Sequence, residues 1–229
     1  MNFGMTLILY IAASPDYKDS DRSICQLFQG GLGLPDRDYY FDETKEDKRS
    51  AYKVHIAKML HLLQQELEKN HTSTDADEIP DEIIHEANAV YDLEKSLAEA
   101  HMTKTENRDP HATYNRMDLL HLMSTVCQDK FDFRSFFSAA TSFQQPETEL
   151  GEINVRNVAA IVRAVQVIDN AEPSVLRSYL KWRCVSSSAK YLSKGFVQED
   201  FNFNEKTLMG TCKGYSLFFT ELHFELIEN

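Results

Sequence analysis

Apolar positions along this chain follow two different periods, and the change from one to the other divides it. From Phe3 to Ala13 apolar residues run almost continuously, and Leu7-Ile8-Leu9-Tyr10-Ile11 is dense in strand formers. Ser14-Pro15-Asp16 supplies a turn and Ser23 to Phe28 a second strand, so the spacing predicts a β-hairpin. Further on the period lengthens. Tyr52, Ile56, Met59, Leu60, Leu63 and Leu67 recur at three- and four-residue intervals on one face of a helix, preceded by Thr44 and Asp47 as a weakened capping box. Asn70 to Ile79 is polar and acidic, a loop. Pro80 suits the first turn of a helix whose stripe is Ile83, Ile84, Ala87, Val90, Tyr91, Leu93 and Leu97, running to about His101. Met117 to Cys127 and Phe133 to Phe143 read as two shorter helices, and the residues around Pro146 as a surface connection. Val155 to Ile168 is helical again, and Pro173 opens a helix running beyond Tyr191. No internal repeat or low-complexity tract interrupts the pattern. The fold class expected is mainly α, a multi-helix lobe with one small N-terminal β-hairpin.

Composition narrows the function classes. With 229 residues, 42% hydrophobic and 26% charged, the chain can bury a sizeable core. A formal net charge of −12 argues against nucleic acid and anionic membrane surfaces, because both need clustered Lys and Arg. No stretch approaches the ~20 apolar residues of a membrane-spanning helix. The N-terminal apolar run lacks the basic flank and the length of a signal peptide, so a buried strand is the better reading. Cys25, Cys127, Cys184 and Cys212 form no C-x-x-C pair, which removes zinc ribbons and thioredoxin-like motifs; buried free thiols are expected, although an even count permits two disulfides.

The most distinctive segment is Gly31-Leu32-Gly33-Leu34-Pro35-Asp36-Arg37-Asp38-Tyr39-Tyr40. Its glycines permit backbone angles that other residues avoid, and Pro35 fixes its own φ and biases Leu34 towards extended geometry. A rigid loop is expected, with Arg37 paired to Asp36 or Asp38 and one tyrosine ring buried, either locking elements together or lining a cleft. The string resembles the G-L-P-x-R-D-Y-Y signature of the neprilysin and endothelin-converting-enzyme family of zinc metallopeptidases. Val90 to Ala98 is similar to that family's L-E-x-x-L-A helix. Arg108-Asp109-Pro110 with Tyr114-Asn115-Arg116-Met117 resembles its R-D-P-x-x-x-Y-N-x-M segment. Leu176 to Trp182 with Tyr191-Leu192-Ser193, and then Phe201 to Gly210, resemble later family segments in the same order.

The resemblance implies that residues 1–210 are part of a helical N-terminal lobe which, in complete family members, caps a zinc-bearing catalytic lobe and restricts substrates to small peptides. It implies zinc only in those complete members, partners that are peptides or the catalytic domain, and a cell-surface or extracellular setting. Residues 211–229 match nothing in the family, and their apolar content, from Tyr215 to Phe219 and from Leu222 to Leu226, leads us to expect a poorly packed, association-prone tail on an incomplete chain.

Catalytic chemistry is hard to find in the residues themselves. A zincin needs H-E-x-x-H, two imidazoles on one helical face, and His85-Glu86-Ala87-Asn88-Ala89 puts alanine at the second ligand. His85 therefore reads as a partly buried helix histidine. Glu82 with His85 and Asp118 with His121 have the i, i+3 spacing of helical di-iron sites, but two further inward carboxylates would be required. Gly30 to Gly33 lacks the Lys-Ser/Thr of a phosphate loop, and no G-x-S-x-G elbow occurs. No catalytic or metal-binding residue is assigned. Arg37 with Asp36 and Asp38, and Arg108 with Asp109, read as ion pairs pinning loops to helices. Three functions remain: a non-catalytic lobe of a metalloendopeptidase, a stand-alone peptide- or protein-binding helical module, and a helical metal oxidoreductase.

Overall fold

A computed structural model describes residues 7–68 and 78–210. The hairpin is present, with β1 (Leu9–Asp16) antiparallel to β2 (Asp19–Gln29), Leu9 opposite Gln29. Its reversal lies at Tyr17-Lys18 and not at Ser14-Pro15-Asp16. The Asp16 carboxylate accepts the Lys18 N–H at 3.0 Å, the local bond that lets an aspartate start a turn. Pro15 stays inside the strand, opposite Ser23, because β1 is an edge strand and a missing donor there leaves no partner unsatisfied.

The hairpin belongs to a four-stranded sheet of order β1-β2-β4-β3. β4 (Glu152–Val155) runs parallel to β2, and β3 (Arg116–Asp118) runs antiparallel to β4. Both correct the expectation from sequence, which placed a helix from Met117 and another from Val155. These strands are too short for a two-residue alternation to show, and Ile153, Asn154 and Val155 are all buried. Asn154 satisfies its side chain in the sheet, donating to Gln26 Oε1 at 2.5 Å and Thr113 O at 3.0 Å and accepting from Asn115 N at 2.7 Å. After β3 the chain makes one helical turn, α4 (Leu119–His121), whose N-terminus is capped by Asp118, and then a wider turn over Leu122–Val126.

Helices α2 (Glu46–Glu68), α3 (Asp81–Ala98) and α8 (Pro173–Ser188) pack against one another and form the core. A single turn, α1 (Asp38–Phe41), leads into them. Tyr52, Ile56 and Met59, Val90 and Leu97, and Tyr179 and Trp182 are nearly or wholly inaccessible. α7 (Val158–Asn170) packs on α3, and α9 (Lys194–Phe201) packs on α2. The shorter α5 (Phe133–Thr141) and α6 (Pro146–Glu149) lie together.

Several local expectations need correction. Asp42, not Thr44 with Asp47, caps the approach to α2 by accepting from the Thr44 N–H and hydroxyl. Pro80 immediately precedes α3, and the helix ends at Ala98, short of His101. Ile84 and His85 face outward, since the α3 stripe that buries Ile83, Ala87 and Val90 leaves them on the far side. Pro146 is buried at the start of α6. Cys25 and Cys127 are free thiols that burial pushes up to about 11, whereas Cys184 is exposed. Among the described residues no helix is long and apolar enough to cross a membrane. Cys212 and the expected tail from residue 211 lie outside the described residues.

Candidate functional site

The loop from Gly31 to Tyr40 is held from beneath by one buried carboxylate. Glu94, on α3 and wholly inaccessible, accepts from the hydroxyls of Tyr40 and Tyr52, each at 2.8 Å, through Oε2. The Gly33 N–H reaches the same oxygen at 3.2 Å, and Trp182 Nε1 donates to Oε1 at 3.2 Å. Tyr40 passes the constraint on, its oxygen accepting from the N–H groups of Gly33 and Leu34. Four segments therefore meet at one side chain: the loop, α2, α3 and α8. Burial raises the Glu94 carboxyl above its usual range, opposed by the tyrosine hydrogen bonds. Burial also drives Tyr40 and Tyr52 well above the ordinary phenol range, so both remain neutral donors.

Two glycines make this approach feasible. Gly31 has φ +91°, and a Cβ there would press on Leu97, Tyr179 and the Ile8 backbone. A Cβ on Gly33 would overlap the Tyr52 hydroxyl. The Gly31 carbonyl accepts from Tyr179 at 3.1 Å and the Leu32 carbonyl from Arg183 at 3.1 Å, which ties the loop to α8 as well.

The outer side of the loop borders a cleft of about 420 Å³. Gly30 to Leu32 and Leu34 to Arg37 form one wall and His101 to Lys104 another, with Phe28, Gln29, Arg156 and Asn157 from the ends of β2 and β4. Asn157 and Gln29 join these parts. Asn157 donates to Gln29 Oε1 at 2.5 Å and to Ala100 O at 3.0 Å, and the Met102 N–H donates to Gln29 Oε1 at 3.2 Å. Tyr10 and Phe28 stack at 4.5 Å, and the Arg156 guanidinium lies 5.2 Å from the centre of the Phe28 ring.

The predicted residues divide accordingly. Gly31 and Gly33 give the loop its close packing and Tyr40 anchors it. Tyr39 is half-buried, with Lys45 over its ring at 4.4 Å and its carbonyl accepting from Arg49. Pro35 is exposed at the rim. Asp36 accepts from the Asp38 N–H at 2.9 Å and pairs with Lys104 at 2.9 Å. Arg37 instead lies over the Phe41 ring at 5.0 Å and makes no ion pair among the described residues. The expected Arg37 pairing is thus replaced by a lysine pairing from across the cleft, because neighbouring residues in a tight turn point apart. Arg108 and Asp109 are likewise exposed, and Asp109 turns back to accept the His111 N–H at 2.8 Å. Tyr114 packs against Tyr17, and Asn115 joins β4 by donating to Val155 O at 3.0 Å.

The described residues gather no three His, Cys, Asp or Glu side chains able to hold a metal, and Glu82 and His85 are exposed while Asp118 is spent capping α4. No hydrolytic step is assigned to these residues. The Glu94 cluster was missed from the sequence, although Glu94 sits in the quoted L-E-x-x-L-A string. The signal was a charged residue directly beside Leu93 and Leu97 on the apolar stripe of a helix, where only a paired carboxylate is tolerated.

Comparison with known proteins adds independent findings. The family model for peptidase family M13 matches residues 1–214. An endothelin-converting enzyme homolog of Locusta migratoria is 30% identical over 89% of this chain and 27% of its own length. Neprilysin of Mus musculus is 27% identical over 91% of this chain and 28% of its own. Among solved structures, the zinc metalloprotease Zmp1 of Mycobacterium tuberculosis in its open state superposes with a TM-score of 0.79 at 26% identity, covering 93% of this chain and 30% of that one. The same metalloprotease in complex with an inhibitor gives 0.77 at 27% identity, covering 90% of this chain and 29% of that one. The chain therefore spans less than a third of the length of these relatives.

Proposed function

The chain belongs to peptidase family M13, and from that premise we propose that it acts as the helical, non-catalytic lobe of a neprilysin-like zinc metalloendopeptidase, shaping access to a zinc site that other residues supply. The observation that carries this reading is the match itself: residues 1–214 fit the family while the sequence contains no H-E-x-x-H. A fold shared with a zinc metalloprotease over 93% of this chain but 30% of the other supports it. In this reading zinc is held by a catalytic lobe and not by the helical lobe, as suits a likeness to a zinc metalloprotease. Its partners are the zinc-bearing lobe and the peptides enclosed between the two, with the Gly31–Tyr40 loop lining the enclosed space and Arg108, Asp109, Tyr114 and Asn115 supporting the sheet end of the lobe. One relative carries the name membrane metallo-endopeptidase-like 1, which supports a membrane-surface setting for this reading. We take residues 1–210 as the lobe, within a family match that runs to residue 214.

The direct test uses the purified 229-residue chain. It should bind no stoichiometric zinc by elemental analysis and should not cleave a short fluorogenic peptide. Chelator-sensitive cleavage at a rate proportional to the amount of chain would overturn the reading.

A further inference from the structure

Charge is distributed unevenly in this molecule. The chain as a whole carries −12, yet among the described residues the cleft beside the Gly31–Tyr40 loop is lined by Arg37, Lys104, Arg156 and Arg183 against one carboxylate, Asp36. That carboxylate is already engaged by Lys104 at 2.9 Å. Glu106, close enough to Arg37 to feel its charge, is held by the Thr103 N–H and hydroxyl, both at 2.8 Å. His101 contributes no charge, because burial draws its imidazole down to about 4.

Two of the cations lack a carboxylate partner among the described residues. Arg37 is half-buried over Phe41 and makes no ion pair among the described residues. Arg156 is fixed in place by donating to the Tyr17 hydroxyl at 3.0 Å and to Asn107 O at 3.1 Å, while its buried Nε has no hydrogen-bond partner. A planar guanidinium already oriented by a ring and two acceptors loses little freedom on receiving an anion. The stacked Tyr10 and Phe28 rings beside it form an apolar wall, which suits an anion carried on an organic chain better than a bare inorganic ion.

We propose that this cleft is an anion-recognition site that takes a carboxylate carried on a peptide, with Arg37 and Arg156 as its principal contacts. The assignment rests on the reading of the chain as a peptide-facing lobe and adds to it a preference for acidic peptides. Two sources share this chemistry, an acidic side chain and a C-terminal carboxylate.

Isothermal titration of the full chain would use a short peptide ending in Glu, its Gln counterpart, and the amidated form of each. Either carboxylate source should bind about tenfold or more tightly than the peptide with neither, since a charge-assisted hydrogen bond is lost. Comparing the Gln and amidated forms then identifies the source. Arg37→Gln should weaken the acidic peptide by a similar factor. Asp36→Asn, which removes the carboxylate among the described lining residues but keeps an acceptor for the Asp38 N–H, should tighten it. That gain is not expected of a variant that merely damages the fold. Equal binding of charged and neutral peptides, or the same affinity in both variants, would overturn the anion site and leave the lobe assignment standing. Absence of peptide binding by a chain that still associates with a zinc-bearing M13 lobe would do the same, whereas loss of that association would count against the lobe itself. Inorganic phosphate binding as tightly as the acidic peptide would also contradict the proposal.

Discussion

Glu94 accepts four hydrogen bonds, from two phenols, an indole and a backbone amide, with none of its surface in water. A buried carboxylate is tolerated only when its lone pairs are filled, and here each donor also positions a separate part of the fold. Glu94→Gln tests this arrangement. An amide offers one acceptor oxygen in place of two, and its NH2 group would face either the Trp182 N–H or the tyrosine hydroxyls. We expect a loss of about 1–3 kcal/mol, the usual cost of leaving a buried donor unsatisfied. The pH dependence supplies a second reading. Because burial raises the Glu94 carboxyl, the folded chain holds this proton in a window where the unfolded chain has released it, from the ordinary carboxylate range up to the raised value. The folded state binds more protons there, so stability falls as pH rises across that window. The non-titrating Gln variant lacks this fall, and its deficit relative to the parent should be larger below the window than above it. Denaturant midpoints at two pH values measure both effects.

At the scale of elements, sequence periodicity was informative where a pattern lasted. The stripe from Tyr52 to Leu67 and that from Ile83 to Leu97 correspond to α2 and α3, and Pro173 does open α8. That helix ends at Ser188 and does not run beyond Tyr191 as expected, a tighter turn over Ala189–Tyr191 following it. Strands β3 and β4 gave no such signal, because three or four residues cannot display a period and a buried Asn154 reads as polar. Pro15 misled in the opposite direction: it marks a turn in most contexts, but an edge strand accommodates it. Asn154 is where the sheet is most exposed to a single change. It links β2, β4 and the segment before β3 through three hydrogen bonds, so Asn154→Ala leaves Gln26, Thr113 and Asn115 without their partner. A destabilisation of about 2 kcal/mol or more is expected from a urea transition, and an unchanged midpoint would show that these bonds are replaced by water.

For the molecule as a whole, the family was legible from ordered strings of residues, and the loop between Gly31 and Tyr40 was recognised as rigid and distinctive. What it is rigid against was not legible. Glu94, Tyr52 and Trp182 come from three helices that only tertiary packing brings together, and the cationic lining of the cleft unites Arg37, Lys104, Arg156 and Arg183 from widely spaced positions. The proposed role, shaping a catalytic space that other residues supply, rests on the family match over residues 1–214. The most direct measurement is reconstitution with the zinc-bearing lobe of an M13 peptidase. Cleavage of a short peptide and of a folded protein is followed for the chain alone, for the zinc-bearing lobe alone, and for the two together. The account predicts no cleavage by the chain alone and, on mixing, a saturable shift that favours the short peptide over the protein. Cleavage by the chain alone, or a mixture whose substrate preference matches that of the zinc-bearing lobe by itself, would contradict it.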